Sequence, residues 1–343
     1  MTELRFFVFT CRDPSVDFRL PLVRALRRDF ETWYIFLRRS PVVAGPHDHE
    51  APIQMSIFRL LAFLWSQRND GKMPVYFNST NTLYPYLMAL LRLISPRGVW
   101  CLDLHDDLLY RYTGLRRIRA WLAIQVMRLL SDVSLHAAPT LKELFPTSQH
   151  LGNASEMTPI QRSAVCDRKV LIMGSIDRRF DFGLLTRVAQ LCPQMTFDIY
   201  GQSASSVRAR LDELVSGHEN VRYYGAYVMR DLPDILARYS VTFAPYVQGV
   251  RQTHYIDPLR FYDCLNSGME VTTTDIPAAH VLEHALHVVR SEQEFAALFT
   301  ESGSLKIGKQ PHYTMVTWQQ RAERLAHIVR RLSRARRSRC RCK

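Results

Sequence analysis

The sequence predicts an α/β protein made of two doubly wound domains, each a parallel sheet covered by helices. Short β-branched or aromatic segments alternate with amphipathic helical segments, as in sheets built from β-α-β units. The same alternation starts again near residue 169, after a stretch with little periodicity. A length of 343 residues also suits two domains better than one.

The first predicted domain covers residues 1–150. Hydrophobic segments mark its strands, and apolar residues three and four apart mark its helices. The predicted strands are 4–10, 33–37, 73–78, 98–104 and 133–137, and the predicted helices are 18–30, 53–67, 84–94, 115–130 and 140–145. Residues 151–168 contain Gly, Asn, Ser, Thr and Pro and are interpreted as an interdomain linker.

The second predicted domain covers residues 169–316. Its predicted strands are 169–173, 196–200, 221–224, 241–244 and 271–274, and its predicted helices are 182–191, 205–215, 231–238 and the segment that follows Pro258. A last helix, 317–332, precedes a basic tail, 333–343. Residues 330–343 hold eight Arg or Lys and no acid. They suit either a disordered, solubilising tail or attraction to anionic lipid.

Composition limits the classes of function. Hydrophobic residues are 47% and charged residues 22%, which excludes a disordered chain. A formal charge of +13 favours an anionic partner: a nucleotide, a phospholipid surface or a nucleic acid. No apolar run reaches the roughly 20 residues of a spanning helix, and no secretory signal is recognisable. These features predict a cytoplasmic protein, with peripheral contact to the inner face of the membrane left open.

Cysteine spacing and one basic helix bear on further partners. The seven cysteines are scattered, which suits reduced thiols and predicts no metal site. The helix 115–130 carries Arg116, Arg117, Arg119 and Arg128 among apolar residues that include Trp121. Its apolar residues suit either the core or an anionic membrane surface.

The segment 254–275, HYIDPLRFYDCLNSGMEVTTTD, has the strongest candidate site residues. Pro258 opens a helix on which Arg260 and Asp263 share one face near the N-terminus. A helix N-terminus attracts anions, and a guanidinium beside it makes a phosphate site. A carboxylate one turn further on can accept hydrogen bonds from a ribose diol. A surface Arg–Asp pair is the alternative.

Other candidate residues follow the strands of the second domain. Ligands of doubly wound sheets bind beyond the carboxyl ends of the strands, and glycine there lets the backbone approach a ligand. A backbone amide near Gly174 could meet phosphate, and residues near Tyr227 could flank a base. The residues just after these strands include Gly174, Ser175, Asp177, Gly201, Tyr227 and Tyr246, and all of these except Asp177 are candidate donor-binding residues.

Five segments in order carry a resemblance to a known family. They are VLIMGSIDRRFDFGLL, FDIYG, NVRYYGAYVMRDLPDILARYSVTFAPY, IDPLRFYDCLNSGMEVTTTD and TWQQRAERL. Together they resemble the donor half of GT-B glycosyltransferases, and in particular the bacterial exopolysaccharide enzymes that include the xanthan glucuronosyltransferase. The resemblance implies two Rossmann-like domains facing a central cleft, and covers about 169–325, nearly half the chain.

The resemblance also implies roles. It implies a nucleotide-sugar donor, UDP-linked, in the second domain, a glycan or lipid-linked acceptor in the first, and no metal or other cofactor. Arg260 matches the family's basic residue for the diphosphate and Asp263 the residue that touches the ribose. Trp318 matches the C-terminal helix that returns toward the first domain. The implied activity is sugar transfer in surface polysaccharide assembly.

The chain departs from the family at several positions. Arg260 replaces the usual lysine, and Met269-Glu270 replaces a small or basic residue followed by proline. The carboxylate pair of many retaining members is incomplete, because position 256 is Ile. This absence favours an inverting mechanism.

An inverting transfer needs a base to take the proton of the acceptor hydroxyl. CLDLHDDLLYRY follows a strand that ends near Leu104, so its acids lie at the sheet edge. The resembling enzymes have an acidic residue in this general region. The candidates are Asp106 and Asp107, with Asp103 and His105 behind them. Capping of the following helix is the alternative role.

Three other functions are alternatives to a glycosyltransferase. A nucleic-acid-binding protein fits the charge, but the sequence has no recognition-helix motif or zinc finger, so nucleic acid is not the expected partner. A non-catalytic nucleotide- or glycan-binding module would keep the fold. A sugar-nucleotide epimerase would share it.

Overall fold

A computed structural model describes residues 3–10, 19–36, 53–67, 71–79, 85–105, 107, 109, 112–161, 168–282, 284–299 and 313–341. The chain divides into two compact units. Unit 1 comprises Met1–Asn153 and Thr317–Lys343, and unit 2 comprises Ala154–Val316. The chain therefore enters unit 2 at Ala154 and returns to unit 1 at Thr317.

Unit 1 contains a seven-stranded sheet in which every pair of neighbours is parallel. The strands are β1 (Leu4–Thr10), β2 (Glu31–Phe36), β3 (Ile53–Gln54), β4 (Met73–Ser79), β5 (Val99–Leu104), β6 (Val133–His136) and β7 (Gln149–His150), in the order β3-β2-β1-β4-β5-β6-β7. β1 and β5 are buried along their whole length, as expected for parallel strands covered on both faces.

The helices of unit 1 lie on two faces of this sheet. They are α1 (Leu20–Asp29), α2 (Ile57–Ser66), α3 (Pro85–Ile94), α4 (Gly114–Leu130) and α5 (Leu141–Leu144). α1 joins strands that advance toward β3, whereas α2, α3 and α4 join strands that advance toward β7. Because such crossovers are right-handed, α2, α3 and α4 share one face and α1 lies on the other.

Unit 2 contains a six-stranded sheet, again parallel. Its strands are β8 (Lys169–Met173), β9 (Thr196–Tyr200), β10 (Val221–Gly225), β11 (Val241–Ala244), β12 (Glu270–Thr274) and β13 (Leu286–Val289), in the order β10-β9-β8-β11-β12-β13. The strand order reverses between β8 and β11. Ligands of doubly wound sheets bind at such a switch point, outside the carboxyl ends of the strands.

Seven helices cover this sheet within the described residues. They are α6 (Phe182–Leu191), α7 (Arg208–Gly217), α8 (Leu232–Leu236), α9 (Arg251–His254), α10 (Leu259–Asn266), α11 (Pro277–Val281) and α12 (Glu292–Ala297). Asp181 caps the N-terminus of α6, because its carboxylate accepts a hydrogen bond from the Leu184 amide at 2.9 Å. The buried side chains form two clusters, one around Phe197 and Phe243 and another around Phe261 and Val271.

The last described helix, α13 (Trp318–Arg341), packs against α1 within unit 1. The prediction that the helix ends at residue 332 was wrong. The helix continues through Arg341, and the Ser333 hydroxyl donates to the Val329 carbonyl at 2.8 Å. Arginine and alanine are strong helix formers, so this stretch has the propensity to extend the helix.

Most predicted elements are confirmed, with β1, β8, β9, β11 and α6 at the predicted bounds. The single helix predicted over 53–67 was wrong, because Ile53–Gln54 form β3 and the helix begins at Ile57. β7 and β13 were not predicted. β7 has only two residues, too few for a hydrophobic pattern to be recognised. Residues 151–155, at the start of the predicted linker, are buried. No described helix is long and apolar enough to cross a membrane.

Candidate functional site

Two glycine turns lie against each other beyond the carboxyl ends of β8 and β9. The Gly174 amide donates to the Tyr200 carbonyl at 2.9 Å, and the Gly201 amide donates to the Gly225 carbonyl at 2.7 Å. A Cβ at Gly201 would lie 1.7 Å from the Gly174 carbonyl oxygen, and Gly201 has a φ of 150°. The absence of a side chain at Gly201 therefore allows the two turns to meet.

The Arg260 guanidinium lies over the first of these turns. A Cβ at Gly174 would be 2.5 Å from the Arg260 Nη2, so the guanidinium occupies the space that a side chain would fill. Its Cζ is 5.1 Å from the centroid of the Tyr246 ring, a cation–π distance. Arg260 is the second residue of α10 and is half-buried. The structure thus places a fixed positive charge at the switch point.

Backbone amides add to this positive region. Among the described residues, no side chain caps the N-terminus of α10. The Phe261 amide donates to the Pro258 carbonyl at 3.1 Å, so the amides of Leu259 and Arg260 are the ones that face an anion at this end. The Gly174 amide is already bonded to the Tyr200 carbonyl, whereas Ser175 is exposed and its amide donates to no described residue. The amide available near Gly174 is therefore that of Ser175.

Asp177 and Arg179 form a second charged pair in the same loop. The Arg179 Nη2 donates to the Asp177 Oδ2 at 2.6 Å, and the Arg179 amide donates to Oδ1 at 2.9 Å. Burial acts to raise the pKa of Asp177, but the hydrogen bonds from Arg179 and the charge of Arg260 lower it below its ordinary value. Asp177 therefore stays ionised and balances part of the charge of Arg260.

Asp263 lies one turn along α10 from Arg260 and is half-buried. The Ser155 hydroxyl donates to its Oδ1 at 2.5 Å and itself accepts from the Met157 amide at 2.9 Å. Burial raises the pKa of Asp263 to about 7; the Ser155 hydrogen bond opposes the shift and the charge of Glu156 adds to it. This carboxyl group therefore changes charge near neutral pH.

The stability of the protein should depend on pH through Asp263. The folded chain holds a proton that the unfolded chain releases between the ordinary pKa of 3.8 and about 7, so the free energy of unfolding should fall as pH rises through this window. Asp263→Asn removes the effect. We expect Asp263→Asn to raise the melting temperature at pH 8 more than at pH 5. An equal effect at both pH values would contradict a raised pKa.

Tyr227 is the last of the candidate site residues in unit 2. Its half-buried ring packs against the cluster around Phe261. Burial raises the pKa of the Tyr227 hydroxyl, the negative charge of Asp263 raises it further, and Arg260 opposes both. The ring is therefore close enough to feel both charges. The structure brings together the candidates Gly174, Ser175, Gly201, Tyr227, Tyr246, Arg260 and Asp263 in unit 2.

Two contributors were not among the predicted site residues. Ser155, which orients Asp263, lies 108 residues before it, and no local pattern connects them. The second is Arg179, the partner of Asp177. Asp177 follows a strand and was noted for that position, but its pairing with Arg179 depends on the conformation of the loop after β8.

The acidic candidates of unit 1 differ in environment. Asp103 is fully buried, and its Oδ2 accepts from the Arg19 Nε at 2.7 Å. The structure thus gives Asp103 an ion-pairing role, and His105 Nε2 lies 3.5 Å from the same oxygen. Asp107 is 3% exposed, and its Oδ1 accepts from the Leu109 amide at 3.1 Å, a local turn bond. Asp106 lies outside the described residues.

Among the described residues, no group of three or more His, Cys, Asp or Glu is placed to hold a metal ion. Metal-independent transfer stays a prediction.

Solved structures provide the comparison that decides the fold. AviGT4, a glycosyltransferase of avilamycin A biosynthesis, aligns over 97% of this chain and 98% of its own, with a TM-score of 0.65 and 12% identity. Sucrose-phosphate synthase from Thermosynechococcus elongatus aligns over 99% and 100%, with a TM-score of 0.62 and 12% identity. The chain has the GT-B fold.

Other solved structures with different activities have a similar fold. Anabaena HepE in complex with UDP and glucose aligns over 98% of this chain and 99% of its own, with a TM-score of 0.58 and 12% identity. UDP-N-acetylglucosamine 2-epimerases, such as the one from Rickettsia bellii, are also similar. No protein-family model matches the sequence. No curated protein sequence matches it. At these identities the GT-B likeness establishes the fold alone.

Proposed function

We propose that the chain is a glycosyltransferase that moves a sugar from a UDP-linked donor to a glycan or lipid-linked acceptor. The observation that carries the proposal is the guanidinium of Arg260, seated on Gly174 at the switch point of unit 2. HepE, of the same fold, was solved with UDP and glucose, which supports a nucleotide-sugar donor. Surface polysaccharide assembly is the proposed setting.

Each part of the donor has a proposed partner in unit 2. The diphosphate would bind Arg260, the Ser175 amide and the first turn of α10. The ionised Asp263 would accept hydrogen bonds from the ribose hydroxyls, and Tyr227 would flank the base. As the bond to the sugar breaks, negative charge grows on the diphosphate, and a positive group already in place stabilises it without reorganisation. This proposed chemistry needs no metal.

The acceptor half of the reaction would use unit 1. A carboxylate, Asp107 or Asp106, would take the proton from the acceptor hydroxyl. The oxygen would attack the anomeric carbon, and the electron pair of the broken bond would leave with the diphosphate. An attack opposite the leaving group inverts the anomeric centre. The incomplete carboxylate pair at position 256 supports this stereochemistry.

The variant Asp107→Asn tests the role of the proposed base without changing the proposed donor site. A general base contributes about 10²–10⁴-fold, so we expect kcat to fall at least 100-fold. The affinity for UDP should not change, because Asp107 belongs to unit 1. UDP release with a bacterial membrane extract as acceptor source measures the first effect and calorimetry the second. Full turnover by the folded variant would reassign the base to Asp106.

The proposed function has a direct test. UDP and UDP-sugars should raise the melting temperature, because a ligand that binds only the folded state stabilises it. The best UDP-sugar is then incubated with and without a glycan or lipid-linked acceptor. A glycosylated product confirms the proposal, and an inverted anomeric carbon confirms the mechanism. A changed sugar without acceptor would instead indicate an epimerase, the function of several structural neighbours.

A further inference from the structure

The outward side of α4 has a continuous stripe of exposed apolar side chains. Their spacing of three and four residues places them on one side of the helix, opposite the buried Ile124 and Met127. Leu115 is 73% exposed and Leu129 is 85% exposed. The stripe is about 21 Å long at 1.5 Å per residue. Its members are Leu115, Ile118, Leu122, Val126 and Leu129.

The same arrangement recurs on the two neighbouring helices. On α2, Phe58 is 80% exposed and lies on the opposite side of the helix from the buried Leu60 and Leu64. On α3, Leu93 is 79% exposed and lies opposite the buried Met88. Exposed residues four and seven apart complete the stripes: Phe58, Ala62 and Trp65 on α2, and Tyr86, Leu90 and Leu93 on α3. We call these stripes, with that of α4, the apolar face.

The apolar face is one surface. α2 packs against α3 and α3 against α4, all on the same side of the unit 1 sheet. Soluble monomers rarely expose large contiguous apolar patches, so a surface of three such stripes indicates a partner. The first two turns of α4 contain no buried residue, so this end of the helix stands away from the core.

The charges around the apolar face indicate which partner. α2, α3 and α4 contain six arginines and no Asp or Glu. Arg92 and Arg128 are engaged, with Asp132 and with Gln125. Arg59, Arg116, Arg117 and Arg119 are exposed beside the apolar stripes. Exposed arginines beside apolar and aromatic side chains are typical of surfaces that bind anionic lipid.

A recess beside the α4 stripe has the same mixture. It encloses about 230 Å³ and is lined by Leu109, Arg117, Ile118 and Trp121. A guanidinium at the edge of an apolar recess suits a lipid phosphate with its first methylenes. Indole rings also prefer the boundary between hydrocarbon and water.

We propose that the apolar face docks onto an anionic phospholipid bilayer, with the α4 stripe lying in the interface. A second copy of this chain fits less well, because a two-fold interface would bring the same arginines against one another. The proposal concerns unit 1 and does not depend on the proposed function. It would place an acceptor held in a lipid bilayer beside the unit that is proposed to bind it.

Flotation with vesicles tests the proposal. The full chain should float with phosphatidylcholine vesicles that contain 30% phosphatidylglycerol and not with pure phosphatidylcholine, and about 0.5 M salt should weaken binding because exposed charges are screened. The double variant Ile118→Glu with Leu122→Glu should lose at least tenfold in binding. Leu191→Glu is the matched control, since Leu191 is 46% exposed on unit 2, and it should bind like the original.

Two further measurements keep the outcome interpretable. Circular dichroism and the melting temperature should be the same in the double variant and in the original, which would show that the loss is not unfolding. A folded double variant that still floats would overturn the proposal. So would light scattering that shows a dimer of the original, dispersed by the same substitutions, because the apolar face would then be a self-association surface.

Discussion

Arg260→Ala should lower the affinity for UDP about 100-fold while leaving the fold intact. A charge-assisted hydrogen bond contributes about 1.5–3 kcal/mol, and a loss of about 3 kcal/mol corresponds to a factor of about 100. Calorimetry with UDP measures the change. The fold should survive, because the half-buried Arg260 side chain lies over the ring of Tyr246 and against the turn at Gly174 and is not part of the apolar core.

Two variants make this result specific. Arg260→Lys keeps the charge but loses the planar fork, so we expect a smaller loss, of about tenfold. Arg208→Ala removes another arginine of unit 2, one whose exposed partner is Asp212, and should not change UDP binding. Unchanged UDP affinity in a folded Arg260→Ala protein would remove Arg260 from the donor site.

Gly201→Ala should unfold unit 2 more easily, by about 3 kcal/mol or more. A non-glycine residue at a strained φ costs about 1–3 kcal/mol. In addition, the new Cβ would lie 1.7 Å from the Gly174 oxygen, so one of the two turns must move. That movement displaces the surface on which Arg260 lies, so the affinity for UDP should fall as well.

Spectroscopy can separate the two units in this experiment. All five tryptophans lie in unit 1, at positions 33, 65, 100, 121 and 318. Gly201→Ala should therefore lower the melting transition seen by circular dichroism more than the one seen by tryptophan fluorescence. Gly217→Ala is the matched control, because a Cβ there has nothing within 4 Å. A melting profile of Gly201→Ala equal to that of this control would contradict the close contact.

The helices and strands could be predicted where a local sequence pattern determines them. β8 is a run of apolar residues and α6 begins with a capping Asp181, and both have the predicted bounds. β3 could not be predicted, because its two residues are extended through pairing with Ile35 and Phe36 of β2. That pairing is a tertiary contact without any periodic pattern in the sequence.

In the candidate site, too, local spacing predicts some positions, whereas long-range partners could not be predicted. The positions of Arg260 and Asp263 on α10 follow from helical spacing after Pro258. The partner of Asp263 does not, because Ser155 reaches it only through the folding of unit 2. Likewise Asp103 was a candidate base at a strand end, and its pairing with Arg19 joins residues 84 positions apart. Long-range partners decide whether an acid is structural or reactive.

The path of the chain between the units has a consequence for folding during synthesis. α13 belongs to unit 1 but follows all of unit 2, and its Trp318, Leu325 and Val329 are buried in unit 1. A translating ribosome therefore completes unit 2 while the surface of α1 that α13 covers is still bare. Domains usually fold in order from the N-terminus. Here unit 1 can complete its packing only after the whole of unit 2 has been synthesised.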